Sequence, residues 1–349
     1  MTGVIPASWS NGAALRQRAG RSMDVILHLG AHRTGSTTFQ SYMRRSNTQL
    51  SERGLGYWGP QRTRQGLFAG LMPAPHLNIC HKPPTRAEGR VQIQLTRAAR
   101  NGARKLMVSD ENMIGSVRHN LRNRALYPAI GERMARYASA FDGQVCRIVL
   151  NIRAQDLYWS SAMAYGVARG HRMLPVEGFE NLVASRRTWR DVITDLSCAL
   201  PNTEICVLPF EGYQGRPEMM LATCIDERAP INTDAEWLNR APNVKALRQI
   251  LAERGEISGL RVLGTDLGRA RWVPFNEEQC ASLREAYADD MHWLISGADG
   301  LATLAQETLT QDIMTEDWDQ TGTGNIPPFG SLSKGQEHDK QERYVAGHR

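Results

Sequence analysis

The stretch that most constrains the fold is DVILHLGAHRTGSTTFQ, Asp24 to Gln40. Asp24–Gly30 is a short, β-rich apolar run ending in glycine, and it reads as a buried strand of a parallel sheet. Phe39, Tyr42, Met43 and Leu50 then recur at helical spacing, and Gly54 marks the stop. The segment between them is therefore a strand-to-helix turn. Gly30 and Gly35 keep the glycine spacing of a Walker A loop, but Ser36 stands where that loop carries lysine, and the cation is Arg33 instead. Convergent backbone amides and a helix N-terminus still make such a turn an anion nest. Ser36, Thr37 and Thr38 add hydroxyl donors. Without the lysine that reaches β- and γ-phosphates, ATP chemistry is disfavoured, while a shorter phosphate-bearing group still fits.

Further strands alternate with helices along the chain. KLMVSDEN (Lys105–Asn112) is a strand ending in acids, VCRIVLNIR (Val145–Arg153) is the strongest strand, and EICVLPFE (Glu204–Glu211) is another. Helical patterns cover VQIQLTRAARNG, NRALYPAIGERMARYASAF (with Pro128 and Gly131 as possible breaks), AQDLYWSSAMAYGVARG and ENLVASRRTWRDVITDLSCAL. The remainder is mostly helical, ending with EEQCASLREAYADDMHWL. This alternation predicts an α/β fold: a P-loop-type, three-layer arrangement with a central parallel sheet and helices on both faces. Ligands in such sheets bind at the carboxyl ends of strands. Residues 56–90, rich in Gly, Pro, Arg and His, read as an irregular insert beside the site. Residues 1–22 read as a flexible extension, with Met23 an alternative start. Residues 23–319 read as one domain and 320–349 as a disordered tail.

Composition narrows the function classes. Of 349 residues, 41% are hydrophobic, enough for a substantial core. The net charge of +6 suits an anionic cofactor, but no dense basic run points to nucleic acid. No run of about 18 apolar residues predicts a membrane span, and residues 1–22 lack a signal core. The six cysteines are scattered without CxxC spacing, which suits buried thiols in a reducing, cytoplasmic compartment. His76, Cys80 and His81 match no common zinc spacing, so no metal is expected. Oligomeric state is not legible.

Two motifs stand in order at predicted strand ends. Arg33-Thr34-Gly35-Ser36-Thr37 follows the first strand; Arg153 ends the strongest strand, and Ser161 follows eight residues later on the next helix. Together they resemble the sulfotransferases that use 3′-phosphoadenosine-5′-phosphosulfate (PAPS), which carry a K/R-x-G-(S/T)-(S/T) loop and such an Arg–Ser pair. The resemblance covers residues 24–54 and 145–170, and more loosely 105–112 and 204–211. It is greatest to bacterial sulfotransferase-like proteins acting on carbohydrate or small hydroxyl acceptors.

The resemblance implies sulfuryl transfer from PAPS to a hydroxyl of a small-molecule or glycan acceptor. It puts Arg33, Thr34, Gly35, Ser36, Thr37 and Thr38 around the 5′-phosphosulfate, with Arg33 also the cation at the leaving oxygen. Arg153 and Ser161 would take the 3′-phosphate, with Ser160 replacing Ser161 if the register differs by one. Family members use His or Glu as general base; Glu111 is the first choice here, with Asp110 and His32 in reserve. Side-chain alternation predicts that only one of Asp110 and Glu111 faces the cofactor. Alternatively, both acids cap the next helix or pair with Arg33. A last phosphate-binding element would be Gly268, Arg269 and Arg271. His28 reads as a satisfied core histidine. Tyr57, Trp58 and Phe68 would line an acceptor pocket or pin the insert. Two other readings stay open: a non-catalytic nucleotide-binding module, and a degenerate P-loop kinase.

Overall fold

A computed structural model describes residues 23–72, 85–231, 238–263 and 272–305, all within one unit. Among them β1 (Asp24–His28), β2 (Leu55–Trp58), β3 (Lys105–Ser109), β4 (Val145–Ile152), β5 (Glu204–Pro209) and β6 (Thr303–Leu304) form one sheet. The order is β2-β3-β1-β4-β5-β6, and every pairing is parallel.

The strands are apolar on both sides because helices cover both faces. Val25, Leu27, Leu106, Val108, Ile148 and Leu150 point to one layer, against Val91 and Leu95, Ile130 and Met134, and Val192 and Ile193 of three helices. Ile26, Met107, Val149 and Leu208 point to the other, against Phe39, Tyr42, Met220 and Leu221. The α/β, three-layer expectation therefore holds.

Strand order sets where a ligand crevice opens. From β1 the chain runs outward to β2 and back to β3; from β4 it runs the other way, to β5. The connections leaving β1 and β4 diverge at their carboxyl ends, which is the switch point of an open parallel sheet. Leu29 and Ala31 extend the pairing past β1, their N–H groups donating to Val149 and Asn151 carbonyls. The glycine-rich loop therefore starts at that switch point.

Some expectations are corrected. The segment read as an irregular insert contains the edge strand β2, a helical turn at Pro60–Arg62 and a π-turn at Thr63–Leu67, and the next helix already begins at Thr85. Of the two readings for Trp58 and Phe68, burial fits the pinning one: both are buried, Phe68 edge-on to Tyr137 and Phe141. The single helix expected over 180–200 is two, Val176–Val183 and Trp189–Ala199. Thr188 caps the second in a reciprocal capping box with Asp191, and this starts a new helix there. His76, Cys80 and His81, as well as Gly268, Arg269 and Arg271, lie outside the described residues, as do 1–22 and 320–349.

His28 is a core histidine. Its Nδ1 bonds Ser109 Oγ at 2.8 Å and its Nε2 bonds Asn151 Oδ1 at 3.0 Å, tying β1 to both neighbouring strands. Burial pushes its pKa down from 6.5 to about 4, against the smaller upward pull of Asn151. Between those values the unfolded chain binds a proton that the folded chain refuses, so stability is lost as pH falls from about 6.5 towards 4. One such group contributes a loss of about 2 kcal/mol between pH 7 and 4.5. Urea unfolding at both pH values should show His28→Gln losing less stability than wild type over this interval. An identical pH dependence in the two proteins would contradict it.

Candidate active site

The loop after β1 turns through the left-handed region three times, at Gly30 (φ +44°), Arg33 (φ +68°) and Gly35 (φ +83°). Gly30 is required twice over, by its φ and because a Cβ there would lie 2.6 Å from Ser36 Oγ. Inside the loop, the Ala31 carbonyl accepts from Thr34 Oγ1 at 2.6 Å and from Ser36 Oγ at 3.4 Å. Gly35 is the N-cap of the helix Ser36–Arg45 and offers no side-chain cap. The first-turn amides have no carbonyl one turn earlier in the helix to bond, so this N-terminus is left open to an anion.

A cavity of about 420 Å³ opens at this N-terminus. The sequence-predicted residues His32, Arg33, Gly35, Ser36, Thr37, Glu111, Arg153 and Ser161 all line it, and Ser160 does too. Thr34 and Thr38 do not. The Thr34 hydroxyl is spent on the Ala31 carbonyl, and the Thr38 hydroxyl accepts from the Leu238 N–H at 3.1 Å.

Arg153 extends directly beyond β4 and is buried. Its Nη1 donates to the Arg33 carbonyl at 2.8 Å, its guanidinium lies 4.6 Å from the Phe210 ring centroid, and Trp189 Nε1 donates to its carbonyl at 2.8 Å. The fork is thus held at the cavity wall and also supports the loop backbone. On the following helix, Ser160 spends its hydroxyl on the Asp156 carbonyl at 2.6 Å, whereas Ser161 accepts from Arg33 Nε at 3.1 Å. Of the two serines, Ser161 is the one joined to Arg33.

Arg33 stands differently from its expected place over the loop. Besides Ser161, it donates from Nη2 to the Asn239 carbonyl at 2.9 Å and lies 4.7 Å from the Tyr165 ring centroid. Its left-handed backbone directs the side chain towards the β4 side of the cavity. Rotation about its side-chain torsions would be needed to bring it over the helix N-terminus.

The two acids after β3 separate as alternation predicts. Asp110 turns inward: it caps the Asn112 N–H at 3.0 Å, accepts from Thr63 Oγ1 at 2.5 Å and pairs with Arg64 at 2.6 Å. Glu111 turns to the cavity, accepting from Gln40 Nε2 at 2.8 Å and from Arg64 Nη2 at 3.0 Å. The partner is Arg64 rather than Arg33. Burial pushes the Glu111 carboxyl up, but Arg64, His32 and Gln40 together outweigh it and hold its pKa below the ordinary carboxylate value.

His32 is committed to a buried network. Its backbone N–H donates to Tyr127 Oη at 2.8 Å, its Nδ1 meets the same hydroxyl at 2.9 Å, and its Nε2 meets Asn112 Oδ1 at 3.1 Å. Asn112 Oδ1 accepts only, so Nε2 carries the proton and Nδ1 takes the Tyr127 O–H. Burial lowers its pKa, so the ring is neutral with both nitrogens in use. As a proton acceptor His32 is the weaker candidate.

Sequence reasoning missed Arg240, Asn239, Tyr165 and Trp272 in the lining, and Arg64 behind Glu111. Gln40 carried a readable signal: it lies three residues after Thr37 on the same helical face. Among the described residues Arg33, Arg153 and Arg240 line the cavity with a single carboxylate, Glu111, so its lining carries a net positive charge. Among the described residues no cluster of three or more His, Cys, Asp or Glu side chains could hold a metal ion, and no helix is long and apolar enough to cross a membrane. Comparison with family models, with curated proteins and with solved structures gives no match.

Proposed function

We propose that this protein transfers a sulfuryl group from PAPS to a hydroxyl acceptor. One observation carries the reading: a helix N-terminus with no side-chain cap after β1 shares a cavity with an arginine–serine pair from β4 and the helix that follows it. That arrangement suits a ligand with two separate anionic groups on one nucleoside. The loop amides, Ser36 and Thr37 would hold the 5′-phosphosulfate, and Arg153 with Ser161 the 3′-phosphate, where a planar fork matches phosphate oxygens. Arg33, resting on Ser161, adds charge on the phosphate side. Trp272 and Pro242 supply an apolar wall for the nucleoside.

Transfer would form a bond from sulfur to the acceptor oxygen and break the bond from sulfur to the 5′-phosphate oxygen. The acceptor proton would go to Glu111, and adenosine 3′,5′-bisphosphate would leave. Incubation with sulfur-labelled PAPS and a panel of glycans, lipids and small alcohols tests this. Label should pass to a hydroxyl acceptor, undiminished by EDTA, because cationic side chains and amides do the work that Mg²⁺ does in kinases. Magnesium-dependent phosphoryl transfer from ATP, with no transfer of label, would favour the kinase reading instead.

The second reading, a nucleotide-binding module without turnover, draws on the Arg64–Glu111 ion pair, since a carboxylate held at low pKa is a weak base. That reading predicts tight bisphosphate binding with no label transfer to any acceptor.

A further inference from the structure

A second cavity, of about 350 Å³, lies on the other side of Thr37, whose side chain borders both. It is walled by Thr37, Gln40 and Arg44 from the loop helix and by Tyr57, Gly59 and Arg62 from β2 and the turn after it. Residues 37, 40 and 44 are three and then four apart, so they form one stripe along that helix. Gln40, in the wall of this second cavity, donates to Glu111, in the wall of the first. Thr37 is thus shared by the two cavities, and Gln40 links the second one to the candidate base of the first.

The walls of the second cavity have a definite chemistry. Among the described residues no carboxylate lines it. Among the described residues neither Arg44 nor Arg62 takes part in an ion pair. Arg62 is nevertheless held in place, 4.7 Å from the Trp58 ring centroid and donating to Gln94 Oε1 at 2.7 Å. The Tyr57 hydroxyl is buried and has no hydrogen-bond partner among the described residues. A side chain at Gly59 would come within 2.4 Å of that hydroxyl, so glycine leaves it room at the wall. Two uncompensated guanidinium groups and the side-chain amides suit a polar anion better than an apolar alcohol.

We propose that this second cavity seats the acceptor, and that the acceptor is a hydroxyl-bearing anion: an acidic oligosaccharide. The proposal rests on the sulfotransferase reading above and deepens it. The reacting hydroxyl lies at the Thr37 and Glu111 end, and the acidic group lies at the Arg44 and Arg62 end. The seven helical steps from residue 37 to residue 44 span about 10 Å, a distance that favours an acceptor longer than one sugar ring.

The test uses a glucuronate-containing oligosaccharide and its carboxyl-reduced counterpart, titrated into the full chain with and without adenosine 3′,5′-bisphosphate at one fixed salt concentration. Wild type should bind the acidic form roughly tenfold or more tightly than the reduced form. Arg44→Gln and Arg62→Gln should each weaken binding of the acid, and the double variant should erase the preference. Both side chains are exposed at the cavity rim, and an unchanged bisphosphate affinity shows that the variants are folded. With labelled PAPS, the variants should raise KM for the acidic acceptor and keep kcat at saturation. Equal binding of the two oligosaccharides by wild type, binding of neither, or a preference that survives in the double variant overturns the proposal. Acid-selective binding without label transfer upholds the site and removes the sulfotransferase reading. Label transfer confined to neutral acceptors does the reverse.

Discussion

Glu111→Gln is expected to lower kcat for sulfuryl transfer by about 10²-fold or more while leaving the affinity for adenosine 3′,5′-bisphosphate nearly unchanged. The amide keeps the shape and can keep the contacts to Gln40 and Arg64 after reorienting, so the cavity should persist. What it loses is the ability to take a proton from the attacking hydroxyl. The pH profile gives a second readout. Because the Glu111 pKa lies below the ordinary carboxylate value, kcat should hold from neutrality down into the carboxylate range and fall only below it. An acid limb above the carboxylate range would point to an imidazole base instead, and near-normal turnover in Glu111→Gln would rule the carboxylate out, leaving Asp110 and His32. Asp110 would then have to leave its bonds to Thr63, Arg64 and Asn112, and His32 its bonds to Tyr127 and Asn112.

Arg153→Ala should weaken bisphosphate binding by about 10²-fold or more, since truncating one partner of a buried charge pair commonly costs about 2–5 kcal/mol. Two losses combine. Under the proposed reading a 3′-phosphate would lose its bidentate partner, and the Arg33 carbonyl loses the Nη1 donor that supports the loop. Arg153→Lys keeps the charge without the fork and should fall between wild type and Arg153→Ala. Position in the loop alone assigns Arg33→Ala to kcat. With Arg33 resting on Ser161, that variant should also cost affinity. Calorimetric titration of both variants measures this, and wild-type affinity in Arg153→Ala would remove the basis for a 3′-phosphate site.

The legible parts of this molecule are those where pattern and backbone demand coincide. β1 and β4 are central strands covered on both faces, so each had to be written as an apolar run, and each leads into a cavity-lining arginine. Arg33, Glu111, Arg153 and Ser161 could be located because they follow such strands at short spacing. β2 was illegible for the opposite reason. It is a four-residue edge strand, LGYW, in a Gly- and Pro-rich stretch, and it pairs only with β3. β6 has two residues and no pattern to read. Arg240 and Asn239 reach the cavity from a loop some 200 residues after Arg33, and only tertiary packing brings them there. The break before Trp189 was readable in principle, because Thr188 and Asp191 form a T-x-x-D start signal inside what looks like one helix.

The most direct test of the central claim compares nucleotides that differ at the 3′ position. Adenosine 3′,5′-bisphosphate should raise the melting temperature of the protein, and AMP, ADP and ATP at equal concentration should raise it much less, because under the proposed reading only the bisphosphate would engage both the loop and the Arg153–Ser161 pair. Equal shifts from all four nucleotides would contradict the account.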